Sequence, residues 1–152
     1  MNVENFTLRG YYIKMNEAAT AMSLFKKGVN CTQSLLVTHG TELGIDRKTA
    51  FRIASAFGGG MGDTGETCGA VTGAFMIIGL KYGATDAEDK KARLKVRKLV
   101  GKFIEKFKSR NDSILCRELL GSDIRSSGSG KIAKEKCPKY VKDAIELIEE
   151  LS

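Results

Sequence analysis

Tryptophan is absent from these 152 residues, and proline and histidine each occur once. One proline leaves helices almost uninterrupted. A lone histidine, His39, removes the spare base that a serine or cysteine triad requires. No stretch free of charged side chains exceeds fourteen residues (Thr67–Leu80), which is too short to span a bilayer. Glu4 and Arg9 interrupt the N-terminus, which has no apolar signal core. The chain therefore reads as cytoplasmic, without membrane insertion. Cys-x-x-Cys is missing too, which excludes a zinc ribbon, a ferredoxin run and a thioredoxin motif. No cysteine precedes a histidine in a haem-attachment motif, so haem c is excluded.

What is present is a globular balance, 42% apolar and 28% charged. A chain this long buries a core without staples, so Cys31, Cys68, Cys116 and Cys137 call for another explanation. Apolar residues recur every three or four positions almost throughout. Met15, Ala18, Ala19, Met22 and Phe25 mark a first helix stopped at Gly28. Asn30 caps a second, starting at Cys31. Asp46 caps a third with the stripe Ala50, Ile53, Ala54 and Phe57. A glycine-rich stretch follows, and then a helix over about 66–82, apolar on nearly every face and so expected at the centre. Thr85 and Glu88 form a capping box for a fifth helix with the stripe Val96, Leu99, Val100, Phe103, Ile104 and Phe107. Ser113 caps a short helix ending at Gly121. Residues 122–130 read as a mobile loop, extended to about 136 before Pro138 opens the last helix with Cys137 at its cap. The expected fold is all-α, one domain over 14–152 with about six helices around the central one. Residues 1–13 form an N-terminal arm. Asn5–Ile13 is the only candidate strand, and Phe6, Tyr11 and Tyr12 hint at a homodimer contact.

The net charge of +7 is local. Residues 90–110 carry ten cations against Glu105, a net +9, which leaves −2 for the rest. A solvated helix face explains such a run better than nucleic acid does, because base-reading motifs and exposed aromatics are missing. An interaction module using this helix, with structural cysteines or structural zinc, is the alternative to redox chemistry.

All four cysteines fall at expected helix starts. Unpaired N–H groups and the helix dipole there favour negative charge and lower a thiol's pKa. If the starts converge, they build a four-thiolate pocket or two reactive pairs. The loop Gly58–Gly65 matches Gly-x-Gly-x-x-Gly at Gly60, Gly62 and Gly65, but a helix precedes it where the dinucleotide fingerprint needs a strand. It also resembles a phosphate loop with Glu66 in place of the lysine, which would repel an anion. No nucleotide is expected. Instead, Gly60, Gly62 and Gly65 offer backbone that passes close to a cofactor and N–H groups to face anionic sulfur. Gly69 and Gly73 continue the spacing and give the central helix a smooth face. His39, eight residues beyond Cys31 and roughly 12 Å along the helix, reads as a surface residue.

Taken together, Gly28-x-Asn30-Cys31-x-Gln33, the Phe57–Gly65 loop, Cys68-Gly69-Ala70-x-x-Gly73, Cys116 and Cys137-Pro138 resemble the C_GCAxxG_C_C family, from about Ala18 to Tyr140. The family is named for its four cysteines and described as redox-active. The resemblance implies Cys31, Cys68, Cys116 and Cys137 as the functional positions.

Two chemistries suit such a set, in an oxidoreductase or an electron-transfer component serving a redox partner protein. Four thiolates can hold an iron–sulfur cluster or another thiophilic metal, with zinc as the structural alternative. Alternatively a low-pKa thiol attacks and a second resolves. Cys68, beside the open glycine backbone, is then the expected nucleophile, and Cys137, after a mobile loop, the resolver.

Overall fold

A computed structural model describes residues 17–152. The arm, its candidate strand and its aromatic residues lie outside that range. Seven helices follow in order: α1 (17–26), α2 (Cys31–Gly40), α3 (Arg47–Ala54), α4 (Gly69–Tyr82), α5 (Lys90–Asn111), α6 (Cys116–Leu120) and α7 (Ser129–Glu150). The fold is all-α. The extended pairing among the described residues is one isolated antiparallel bridge, Thr67 with Leu115. None of the described helices is long and apolar enough to cross a membrane.

The start of α2 shows how side chains place a helix. Asn30 accepts from the Gln33 amide at 2.8 Å, and the Gln33 side chain accepts from the Asn30 amide at 3.2 Å. This reciprocal cap satisfies two orphan donors. The Gln33 amide group also donates to the Phe51 carbonyl at 3.0 Å, tying α2 to α3. Asp46 caps α3 as expected, accepting from Thr49 at 3.0 Å. The stripe of α3 is only half covered, however. Ala50 and Ala54 are fully buried, but Ile53 is 50% exposed and Phe57 half-buried, because only the alanine edge of so short a helix meets α2. On α1, Ala18 and Ala21 are buried while Ala19 is exposed. The cap of α5 is Asp89, accepting from Ala92 at 2.9 Å, rather than Thr85.

α4 is the central element, with Gly69 to Ala74, Ile77 and Ile78 buried. α2 lies along its glycine edge. A Cβ on Gly69 would stand 2.7 Å from Thr32 Oγ1 and 3.0 Å from Cys31 Cβ, and one on Gly73 3.1 Å from Leu35 Cβ. The Thr32 hydroxyl donates to the Gly69 carbonyl at 3.0 Å, so the close approach is also hydrogen-bonded. Either Gly69→Leu or Gly73→Leu should therefore destabilise by about 1–3 kcal/mol through overpacking. Denaturant melts check this, and unchanged midpoints would mean that the two helices have room to separate.

Phe103 and Phe107 of α5 are fully buried and stack with centroids 5.8 Å apart. The basic run is partly neutralised by α7. Arg110 pairs with Glu146 at 2.9 Å and Glu150 at 2.6 Å, and Lys106 with Glu150 at 3.2 Å. Such exposed pairs are each worth under about 1 kcal/mol.

The end of the chain differs most from its sequence pattern. α7 begins at Ser129, so residues 129–136 are helix, and Pro138 sits inside it. Gly128, at φ +87°, starts this helix. Proline within a helix forfeits the bond to the carbonyl four residues back. Here that residue is Lys134, on the exposed face, where water can satisfy the group.

Candidate functional site

The glycine-rich stretch is neither loop nor ordinary helix. Gly59, Gly60, Met61, Gly62 and Asp63 all have φ between +60° and +69°, a short left-handed turn. Left-handed backbone costs L-residues about 1–2 kcal/mol each, which explains why three of the five are glycine. The turn closes on itself. Gly62 and Asp63 donate to the Gly58 carbonyl, Gly65 to Gly59 at 3.1 Å and Glu66 to Gly60 at 2.9 Å. The amides of Gly62 and Gly65, expected to face sulfur, are therefore spent inside the turn.

What the turn does is deliver two cysteines. After Gly65 the chain runs extended past Leu115. Cys68 donates its amide to the Ile114 carbonyl at 2.8 Å, and Cys116 its amide to Glu66 at 2.7 Å. Ser113 steadies the second strand by accepting from the Leu115 amide at 3.0 Å and donating to the Glu118 carboxylate. Gly60 lies against this bridge so closely that a Cβ would come within 2.5 Å of Cys116 Cβ. Residues 48 positions apart are thereby diagonal neighbours.

Cys31 is the first residue of α2, Cys68 the cap of α4 and Cys116 the first residue of α6. Cys137 is not at a helix start. It lies two turns inside α7, and it reaches the others because Tyr140, Val141 and Ala144 press that face of α7 into the core.

The four sulfurs line one cavity of about 80 Å³, together with Gly59, Gly60, Phe25, Leu119, Ile124 and Tyr140 among others. Gly62 and Gly65 are not part of its wall. No charged side chain lines it among the described residues. All four thiols are buried and free, none more than 9% exposed.

Their acidities follow from that enclosure. Burial pushes Cys68 up to about 12, which the first-turn amides of Ala70 and Val71 offset only in part. Burial and the neighbouring Cys137 push Cys116 up to about 11. The neighbouring Cys137 thiol and, after it, burial hold Cys31 well above an ordinary thiol. The Cys31 thiol in turn lowers Cys137 below the ordinary value against the opposing effect of burial. The helix-start effect expected at Cys68 and Cys116 is thus outweighed by desolvation, and that at Cys31 by the neighbouring Cys137 thiol together with burial. Cys137, away from any helix start, is the thiol that ionises most readily.

Tyr140, which the sequence reading passed over, stands one turn after Cys137 on the same face of α7 and donates its hydroxyl to the Leu119 carbonyl at 2.9 Å. The spacing Cys-x-x-Tyr was its only signal. His39 is buried rather than on the surface. Its Nδ1 lies 3.7 Å from Glu17 Oε2, and burial lowers its pKa. It lines a different cavity, with Glu42, Lys81 and Glu149.

Against known families, residues 29–151 match the model described as "Putative redox-active protein (C_GCAxxG_C_C)". The label spells Gly-Cys-Ala-x-x-Gly where this chain reads Cys68-Gly69-Ala70-Val71-Thr72-Gly73. No curated protein and no solved structure matches the chain.

Proposed function

Because the chain belongs to the C_GCAxxG_C_C family over nearly its whole length, we propose that it works by reversible oxidation of Cys31 and Cys137 to a disulfide. The placement of these residues, more than a hundred positions apart, on one cavity, with the acidity of Cys137 raised and that of Cys31 lowered by their mutual interaction, carries the proposal. Oxidation removes two electrons and two protons from the pair and forms one S–S bond. Cys137, the readier thiolate, takes the part of nucleophile in place of Cys68, and Cys31 resolves. Cys68 and Cys116, across the bridge, form a second pair that burial keeps protonated.

Four sulfurs on one cavity also agree in kind with the donors of an iron–sulfur or zinc centre. Their placement fits less well. Among the described residues no three cysteine, histidine or acidic side chains are gathered tightly enough to hold one ion. The amides of Gly62 and Gly65, two of the three glycines expected to face sulfur, are engaged within their own turn. The dithiol is therefore the better-supported chemistry.

Equilibration in buffers of reduced and oxidised dithiothreitol, followed by acid trapping and peptide mapping, tests it. The expected product is a Cys31–Cys137 disulfide, abolished by Cys137→Ser and retained in Cys116→Ser. Stoichiometric iron or zinc in anaerobically prepared protein, lost with every single cysteine substitution, would replace this reading with a metal centre.

A further inference from the structure

Resting on the dithiol reading above, one question remains open to physical argument, namely which oxidant can reach the pair. The cavity is small, about 80 Å³. Phe25, Leu119, Ile124, Ala133 and Tyr140 wall it, and no charged side chain faces it among the described residues. An ionic reagent entering there loses its hydration with no charged side chain to replace it. A bulky reagent is excluded for a second reason. In thiol–disulfide exchange the sulfur attacks in line with an S–S bond through a mixed-disulfide intermediate. Cysteines at most 9% exposed give a protein disulfide or a charged tripeptide disulfide no such approach without local opening of the fold.

We infer that the oxidant of the Cys31–Cys137 pair is a small uncharged hydroperoxide, hydrogen peroxide or a short alkyl hydroperoxide, that enters the cavity whole. The step balances with the groups present. The Cys137 sulfur attacks the terminal oxygen, the O–O bond breaks, and the alcohol or water leaves with one proton, giving a sulfenic acid on Cys137. Cys31, which lines the same cavity as that sulfur, then attacks it. The S–S bond forms, the S–O bond breaks, and hydroxide departs as water with the second proton. Two electrons pass from the two sulfurs to the peroxide bond, and two thiols plus one hydroperoxide give one disulfide, one alcohol or water, and one water. Protonated Cys68 and Cys116 are spectators in this sequence.

The test compares how far folding protects the pair from two reagents. The reduced protein, folded and in urea, is oxidised with hydrogen peroxide and separately with oxidised glutathione, and the adducts and disulfides are mapped by mass spectrometry. Folding should slow glutathione on the order of a hundredfold, because its attack waits on a local opening. The peroxide reaction should slow by less than about tenfold and yield the Cys31–Cys137 disulfide, with Cys68 and Cys116 still as thiols. Equal protection against both reagents overturns the inference, as does a glutathione adduct on Cys137 formed at the unfolded rate. If the disulfide forms at equilibrium with dithiothreitol but the two reagents are equally excluded, only the choice of oxidant falls. If it does not form even at equilibrium, the dithiol reading falls as well.

Discussion

Replacing Gly60 with alanine is expected to lower the stability of the fold by about 2–5 kcal/mol, adding left-handed strain to overpacking. Gly60 has φ +69°, a region that costs alanine about 1–2 kcal/mol. The added Cβ would also stand 2.5 Å from Cys116 Cβ and 2.8 and 2.9 Å from the backbone oxygen and nitrogen of Glu66. Backbone cannot step aside without breaking the Glu66 to Cys116 hydrogen bond of 2.7 Å. Loss of stability and loss of the cysteine arrangement should therefore appear together. Gly62→Ala separates the two effects. Its φ is +68°, but the nearest atom is the Ala56 carbonyl oxygen at 3.5 Å. Strain alone predicts a loss of about 1–2 kcal/mol, with the oxidation behaviour of the thiols unchanged. Denaturant melts of both variants, with disulfide mapping, decide the matter. Equal losses in the two would show that contact between the glycine turn and the cysteine bridge contributes nothing.

Stability should also fall as the solution becomes alkaline, beginning near the pKa of an unfolded cysteine, about 8.5. Cys68 at about 12 and Cys116 at about 11 keep their protons in the folded state, while the unfolded chain gives them up. Between those limits the native state binds more protons, so stability declines with rising pH. Each such thiol contributes up to about 1.4 kcal/mol per pH unit, and the two together about 2–3. Cys31, raised as well, acts in the same direction. Cys137 acts in the other direction, but its lowered pKa adds stability only until the unfolded thiol has ionised, and nothing further above that. Lysines and tyrosines begin to titrate above about pH 10, so the comparison is made with Cys68→Ala. Its stability-against-pH curve should be shallower by about 1.4 kcal/mol per unit between pH 9 and 10. Parallel curves would mean that Cys68 is as open to water as it is in the unfolded chain.

Much of this was legible in the sequence because it depends on neighbours along the chain. The caps Asn30 and Asp46, the stops Gly28 and Gly121, and the burial of α4 follow from local hydrogen bonding and apolar spacing. That three of the cysteines begin helices could be read in the same way. Position 137 could not. Proline next to cysteine is the usual mark of a helix start, yet α7 begins at Ser129 because packing Ile132, Ala133 and Cys137 against the core outweighs one lost backbone bond.

Acidity was not legible either, since a thiol's pKa depends on what surrounds it in space. The dipole argument concerns one helix, whereas desolvation is a property of the surrounding fold, and desolvation prevails at Cys68 and Cys116. Cys31 and Cys137 come to one cavity because α2 and α7 pack on α4 and on each other. The sequence by itself determined the helices and the residues able to do thiol chemistry, since propensity and capping act over three or four positions. Which thiols share a cavity, and which of them ionises, was decided by tertiary packing, because burial and a common cavity join residues that the chain keeps a hundred positions apart.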